Sequence, residues 1–474
     1  MTGDLRGIRS RAERVGQTLA KIAQSRANIL IVSALTADAA AAATIIAEAV
    51  LRKGGRFVVR KSEGTDPQAL EGLKSEGFDW YVFCGVGSLD PGQLEENLRG
   101  KWLWIHDRSY PKAASVHENN LNPWEFGFPG GGEVSASGMA YLVALGVDEA
   151  LRNVGWMPVV GGLSQGLDGG SRRLRGLAQV FVKDAVEARC LDLSDGLVLY
   201  GAESKALHLA LSSTTRPFLP ILVANQEACL ATLTSTGVGL RNDSGWKNLK
   251  DLSKEEVEGL TAALRPLLAT KASGEIHAGL LFGELYILPQ EEPGSPLRDA
   301  REYADLLQAC CSTGRLAEAV SICLGARGAI IDEAEQLLQK HRERLKAYVQ
   351  KLLRQEIEPT DGIVFWGEVE GNDAFLELLS AALSAVPQLL GGLTLVGSIP
   401  RNEAIKVWAT LPLHMDPSTV DMGEVLFRAA EQAEGEGGGN ASHGWARVPD
   451  SRIQTFVKSV RRGLKLKDEA AGAG

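Results

Sequence analysis

From Ile29 onward the chain alternates short β-branched or aromatic runs with helix-length segments: ILIVSA, an alanine-rich stretch to Leu51, RFVVRKS, a segment around Leu70, WYVFCG and WLWIHD. Strands of that length separated by helices imply an α/β fold, with a parallel sheet covered on both faces. In such sheets ligands gather outside the carboxyl ends of the strands. Those ends are Ser33 to Asp38, Gly85 to Ser88, His106 to Ser109 and, after MPVV read as a further strand, Gly161 to Gln165.

Residues 203–355 read as largely helical, with a β-like interruption at GELYILP and loop signals at PQEEPGSP. Ile331, Ala334, Leu338, Leu345, Val349 and Leu352 fall on one apolar stripe, which predicts a long helix connecting two lobes. Beyond it GIVFW, a helix near Leu376, LTLVGS and AIKVWATL rebuild a smaller α/β unit, followed by a glycine-rich turn at Gly435 to Gly439. The expected division is 1–205, α/β; 206–350, helical connecting region; 351–466, small α/β domain; and 467–474, a disordered charged tail. At 474 residues such domains bury their own cores without disulfides or metals.

Charge and composition narrow the function classes. A net charge of −9 argues against coating nucleic acid through bulk electrostatics and favours partner proteins, with room for a local basic groove. Arg6, Arg9, Arg11 and Arg14 are followed by no apolar h-region, so no secretory signal is read. The most apolar stretch, Ile29 to Leu51, is broken by Asp38 and Glu48 and is not a membrane span. A cytoplasmic location follows as the expectation. Six cysteines show no C-x-x-C pairing, so neither a zinc ribbon nor a redox site is suggested, and no cofactor is expected.

Gly162-Leu163-Ser164-Gln165-Gly166 matches the G-x-S-x-G of a nucleophile elbow, but Leu167-Asp168-Gly169-Gly170 follows where a helix should start, so it reads as a loop. Gly85-Val86-Gly87-Ser88 lacks the third glycine and the acidic ribose ligand of a dinucleotide site. His106-Asp107 stands at a strand end where a metal ligand or general base belongs. Two-metal phosphoesterases need several converging carboxylates and histidines around cations about 4 Å apart. The strand ends offer only Asp38, His106, Asp107 and Asp90.

Taken together, Leu121-Asn122-Pro123-Trp124-Glu125-Phe126-Gly127, then Glu133-Val134-Ser135-Ala136-Ser137-Gly138 and Tyr141, resemble the N-P-x-x-F-G and E-x-S-x-A-G motifs of the archaeal RecJ-like DHH phosphoesterases. Leu297-Arg298-Asp299-Ala300-Arg301-Glu302-Tyr303-Ala304 is similar to that branch's helix-start signature. Gly435-Glu436-Gly437-Gly438-Gly439 resembles the glycine-rich turn of the DHH-associated domain, whose backbone N–H groups approach a phosphate. The resemblance covers nearly the whole chain. It implies a DHH-type parallel-sheet domain, a helical connector and a smaller C-terminal α/β DHH-associated domain.

The departures from the family pattern fall on its metal ligands. Where the first motif reads S-H-x-D-A-D-G, this chain reads Ser33-Ala34-Leu35-Thr36-Ala37-Asp38-Ala39. The second motif's aspartate falls on Gly85, the D-H-H on His106-Asp107-Arg108 or Asp107-Arg108-Ser109, and the fourth motif's G-D on Ser164-Gln165. A fixed guanidinium at Arg108 repels a cation. In the second lobe Asn440 stands for the histidine after the glycines, and Trp408 and Thr410 replace a serine–arginine pair after Lys406-Val407.

A RecJ-like body with an erased metal site resembles the inactive branch represented by cell division cycle protein 45. That resemblance implies a nucleoid-associated replication factor that binds GINS and MCM and guides single-stranded DNA. Candidate strand contacts are Arg172, Arg173, Arg175, Lys406, Trp408, Gly437, Gly438, Gly439 and Asn440. The competing class is a reduced metal-dependent phosphoesterase using Asp38, His106 and Asp107 on single-stranded DNA or RNA.

Overall fold

The computed structural model describes the chain apart from residues 1–2, 63–66, 88, 109–116, 203, 220, 244, 269–277, 355–362, 372, 387–391, 402, 413–414, 416–418 and 472–474. Ser88 and Ser109, both named above at strand ends, therefore lie outside the described residues.

The first lobe runs α1 (Leu5–Gln24), β1 (Asn28–Ser33), α2 (Ala37–Arg52), β2 (Arg56–Lys61), α3 (Pro67–Ser75), β3 (Trp80–Cys84), α4 (Pro91–Leu98), β4 (Trp102–Ile105) and β5 (Asn120–Leu121). Three helices, α5 (Ala136–Val147), α6 (Trp156–Ser164) and α7 (Ala178–Glu187), and strand β6 (Asp192–Leu197) follow. The five strands pair in the order β2-β1-β3-β4-β5, parallel throughout. Because side chains alternate across a strand, Ile29 and Ile31 enter the core beneath α2 and α5, whereas Leu30 and Val32 enter a second core with Leu70 and Leu94 of α3 and α4. Trp102 and Trp104 of β4 share that second core, while Leu103 and Ile105 face the first.

Helix α2 is buried almost all round. Its run of alanines, strong helix formers with no bulk to accommodate, lets α5, α6 and two later helices, α11 (Ala300–Ser312) and α12 (Leu316–Cys323), pack directly against it. No helix among the described residues is long and apolar enough to cross a membrane.

Next come α8 (Leu207–Ser213), α9 (Gln226–Ser235), the short strands β7 (Arg241–Asn242) and β8 (Gly245–Trp246), and α10 (Lys254–Leu264), around a separate apolar cluster. Strand β9 (Phe282–Ile287) returns to pair antiparallel with β6. Helices α11 (Ala300–Ser312), α12 (Leu316–Cys323) and α13 (Ala329–Arg354) follow. The predicted stripe of α13 is buried, and it is divided between two cores. Ile331, Ala334 and Leu338 belong to the first lobe, while Leu345, Val349 and Leu352 pack with α14 (Asp373–Ser384) and one face of the second sheet. One helix thus joins both lobes through a single face.

The second lobe comprises β10 (Ile363–Val369), α14 (Asp373–Ser384), β11 (Leu393–Ser398), β12 (Ala404–Thr410), α15 (Met422–Gln432), β13 (Glu436–Gly439), β14 (His443–Pro449) and α16 (Ile453–Ala471). Its mixed sheet has the order β10-β11-β12-β14-β13. Helix α16 runs into the segment expected to be a disordered tail, and residues 472–474 of that tail lie outside the described set.

Two local readings are corrected. MPVV is not a strand: it lies inside α6, so Gly161 to Gln165 form a helix end. A short apolar run buried on every face carries no periodicity to tell helix from strand. The glycine run at the C-terminal end is the edge strand β13, and the turn is 440–442. A Cβ on Gly439 would lie 2.1 Å from the His443 carbonyl, and one on Gly437 would lie 3.0 Å from that of Leu426. The glycines let α15 and β14 close on the strand.

Candidate functional site at the strand ends of the parallel sheet

The sheet order reverses at β1, so the crevice outside β1, β3 and β4 is where an open α/β sheet holds a ligand. The structure brings Asp38, His106 and Asp107 to this place. Asp38 sits in the first turn of α2, which Thr36 caps by accepting from the Ala39 N–H. Its carboxylate accepts the backbone N–H groups of Ala136 at 2.9 Å and Ser137 at 3.1 Å. Those groups open α5, whose own N-cap, Ser135, makes no side-chain capping bond. Asp38 therefore caps a helix from another element, with its charge at the positive end of the helix. Burial raises its pKa, while the bonds from Ser137, Ser135 and Ala136 oppose that rise.

His106 stacks on Trp104 at 3.7 Å between ring centres and places Nε2 3.1 Å from Asn120 Oδ1. Burial, with a contribution from Arg108, lowers its pKa to about 3, so the imidazole is neutral. Asn120 also donates to Glu125, and the Trp124 indole N–H donates to the Asp107 carbonyl. The Asn122-to-Gly127 motif thereby fixes the backbone of Asp107 and Arg108 just after β4.

Asp107 receives its donor from the second lobe. Asn440 Nδ2 donates to Asp107 Oδ2 at 3.1 Å, while Arg108 Nε stands 4.0 Å from the other oxygen. Burial pushes the Asp107 carboxyl up to about 6, against the pull of Arg108 and the Asn440 bond. Around this link the lobes meet directly. The Ala441 N–H donates to Gly130 O at 2.9 Å, Ser442 Oγ donates to Gly131 O, and His443 Nε2 donates to Gln165 O at 2.9 Å. Because a carbonyl only accepts, His443 carries its proton on Nε2, and Nδ1 accepts from Thr410 Oγ1 at 3.1 Å. Burial lowers the pKa of His443 to about 4.

The remaining motif positions among the described residues offer no further ligand. Gly85 has a left-handed φ of 64°, and a Cβ there would lie 2.7 Å from that of Ala39. A Cβ on Gly161 would lie 2.5 Å from Asp38 Oδ1, so the end of α6 closes on the carboxylate. No group of three or more His, Cys, Asp or Glu side chains is placed to hold a metal among the described residues. The donors among the described residues do not fit a two-metal set.

The proposed strand contacts scatter. Arg172 is only 3% exposed and pairs with Asp168, so the RRLR run does not present it to solvent. Arg173 is exposed but paired with Asp195 and Glu284, and Arg175 is exposed and bonds Ser171. Lys406 lies on the exposed face of β12, and Trp408 packs partly into the core shared with α13. Gly437 and Gly438 are half-buried, Gly439 is buried, and Asn440 is fully enclosed between the lobes. Sequence reasoning missed His443, whose one cue is its place four residues after Gly439 at the start of β14.

Residues 199–273, which span the cluster around α8 to α10, match the DHH-CID domain family. The chain is 23% identical to an uncharacterized protein of Methanocaldococcus jannaschii over 93% of its length and 94% of the relative's. Among solved structures it is similar to CDC45 from Entamoeba histolytica, with 12% identity and a TM-score of 0.60, covering 96% of this chain and 99% of that one. It is also similar to RecJ from Thermus thermophilus in complex with Mn2+, with 13% identity and a TM-score of 0.56, covering 97% of this chain. The chain spans 55% of that RecJ's length. These likenesses show a RecJ-like DHH fold.

Two consequences are measurable by urea unfolding. Asp38→Ala orphans two buried N–H groups and should lower stability by about 1–3 kcal/mol; a loss below about 0.5 kcal/mol would contradict the capping role. His443 is neutral when folded and ordinary when unfolded, so unfolding takes up a proton between its usual pKa of 6.5 and about 4. Its contribution to stability falls as the pH drops through that window, whereas Asp107, raised in the fold, acts in the opposite sense up to about 6. His443→Gln should flatten the loss from pH 7 to 5 by up to about 1.4 kcal/mol per pH unit. An unchanged slope would refute the assignment.

Proposed function

We propose that this chain is a catalytically inactive RecJ-like DHH protein that serves DNA replication as a binding subunit. In this reading it is a nucleoid-associated scaffold and activator of the replicative helicase, binding GINS and MCM. The observation that carries the reading is the Asp107–Asn440 bond. A carboxylate that would face a cation in a phosphoesterase instead holds the second lobe against the first. Arg108 beside it opposes a divalent ion through its fixed charge.

Support also comes from the likeness to CDC45, which extends over 99% of that protein. Contact with single-stranded DNA rests on the exposed residues Arg173, Arg175 and Lys406, since Arg172 and Asn440 are buried. The alternative, a metal-dependent phosphoesterase acting on single-stranded DNA or RNA, draws on Asp38 at the start of α2 and on His106 and Asp107 just after β4.

Asp107→Asn separates the two, because an amide can still accept from Asn440 but no longer brings a charge to a metal. The wild type and this variant should both retain GINS and MCM from the same organism, and neither should degrade single-stranded DNA or RNA in Mn2+. Manganese-dependent cleavage that vanishes in Asp107→Asn would establish the phosphoesterase. Failure of the wild type to retain either partner would sink the scaffold.

A further inference from the structure

Beyond the strand ends, the first lobe and the connecting region enclose an arginine-rich cavity. Its volume is ≈ 40 Å³, and Asp168, Arg172, Tyr200, Arg216, Arg301 and Asp305 are among its lining residues. At roughly 10–15 Å³ per water it holds about three waters, the bulk of one small oxyanion. Asp168 Oδ2 is shared between Arg172 Nη1 and Arg301 Nη2, each at 3.1 Å. Arg301 is further fixed by the carbonyls of Glu284 and Arg172, at 2.6 and 3.0 Å. Arg342 lies over the Tyr200 ring at 3.6 Å and reaches Asp305 at 3.5 Å.

The local charge does not balance. Four guanidiniums, Arg172, Arg216, Arg301 and Arg342, face two carboxylates, Asp168 and Asp305. Glu302 bonds Ser204 at 2.6 Å, and burial pushes it up to about 8, so it adds no negative charge at neutral pH. Lys205 and Glu335 pair with each other at 2.8 Å. Burial raises the Asp305 carboxyl, against the pull of Arg342, Arg216 and Arg172.

Donors are left over as well. Among the described residues, the Nε atoms of Arg172 and Arg216 are buried without a hydrogen-bond partner, as is one acceptor, Asp168 Oδ1, and Arg172 is 3% exposed. Buried guanidinium N–H groups without acceptors are costly, and their preferred partner is an oxyanion.

We propose that this cavity is a binding site for a phosphate-sized oxyanion, held by Arg172 and Arg216. Tyr200 also lines a wider pocket of ≈ 330 Å³ together with Arg342 and Lys205. The anion therefore arrives either free or as the phosphoryl group of a small phosphomonoester whose remainder occupies that pocket. The site makes no use of the helicase reading.

The test is calorimetric titration of the full chain, in phosphate-free buffer, with inorganic phosphate and with ribose 5-phosphate. Saturable one-to-one binding of phosphate is expected. Binding of both ligands identifies a phosphoryl site open to monoesters, and binding of phosphate alone identifies a free-ion site. Arg216→Gln, folded by circular dichroism, should bind about tenfold or more weakly, the loss of one charge-assisted hydrogen bond. Arg428→Gln, at an exposed arginine of α15 in the second lobe, should bind as the wild type does. A selenate-soaked crystal of the wild type should show anomalous density between Arg172 and Arg216, which keeps the idea testable if the Arg216 variant fails to fold. No saturable binding by the wild type, an Arg216→Gln affinity equal to the wild type's, or selenate elsewhere only would overturn it.

Discussion

A carboxylate carried into a buried pocket must find donors, and for Asp107 the donor comes from the other lobe. The Asn440 amide bonds one of its oxygens, while the Gly130 and Gly131 carbonyls accept from the Ala441 N–H and the Ser442 hydroxyl. The position of the second lobe is therefore tied to the Asp107 carboxylate. Helix α13 reinforces the arrangement by burying one stripe in both cores.

The same economy governs the rest of the crevice. Asp38 spends both oxygens on the start of α5, and the Gln165 backbone accepts from His443. His106 is neutral, stacked on Trp104 and bonded to Asn120. Side chains that could serve chemistry are engaged in holding helices, loops and lobes together. A buried polar network of this kind specifies one arrangement because leaving any member unsatisfied is costly.

Strands β1 to β4 were legible because their β-branched and aromatic runs are bounded by helical segments, and α13 because its stripe repeats over many turns. Helix α6 was not, since WMPVVGG is apolar and small on every side. The role of Asp38 could be suspected from its place near a strand end, but its partners come from residues 98 and 99 positions away. Arg172 looked like part of a surface basic run because nothing nearby announces that Arg301, from a distant helix, shares its carboxylate. Asn440 was legible as a departure from a family pattern, and its contact across the lobes was not, for the same reason of distance along the chain.

The central claim is that the strand-end crevice is closed by the protein's own hydrogen bonds and does not hold a metal pair. Calorimetric titration of the purified chain with Mn2+ and Mg2+ tests it most directly. The account predicts no saturable binding at this crevice and no change in the heats on Asp107→Asn. Two-site binding at micromolar concentrations that is lost in Asp107→Asn would contradict it.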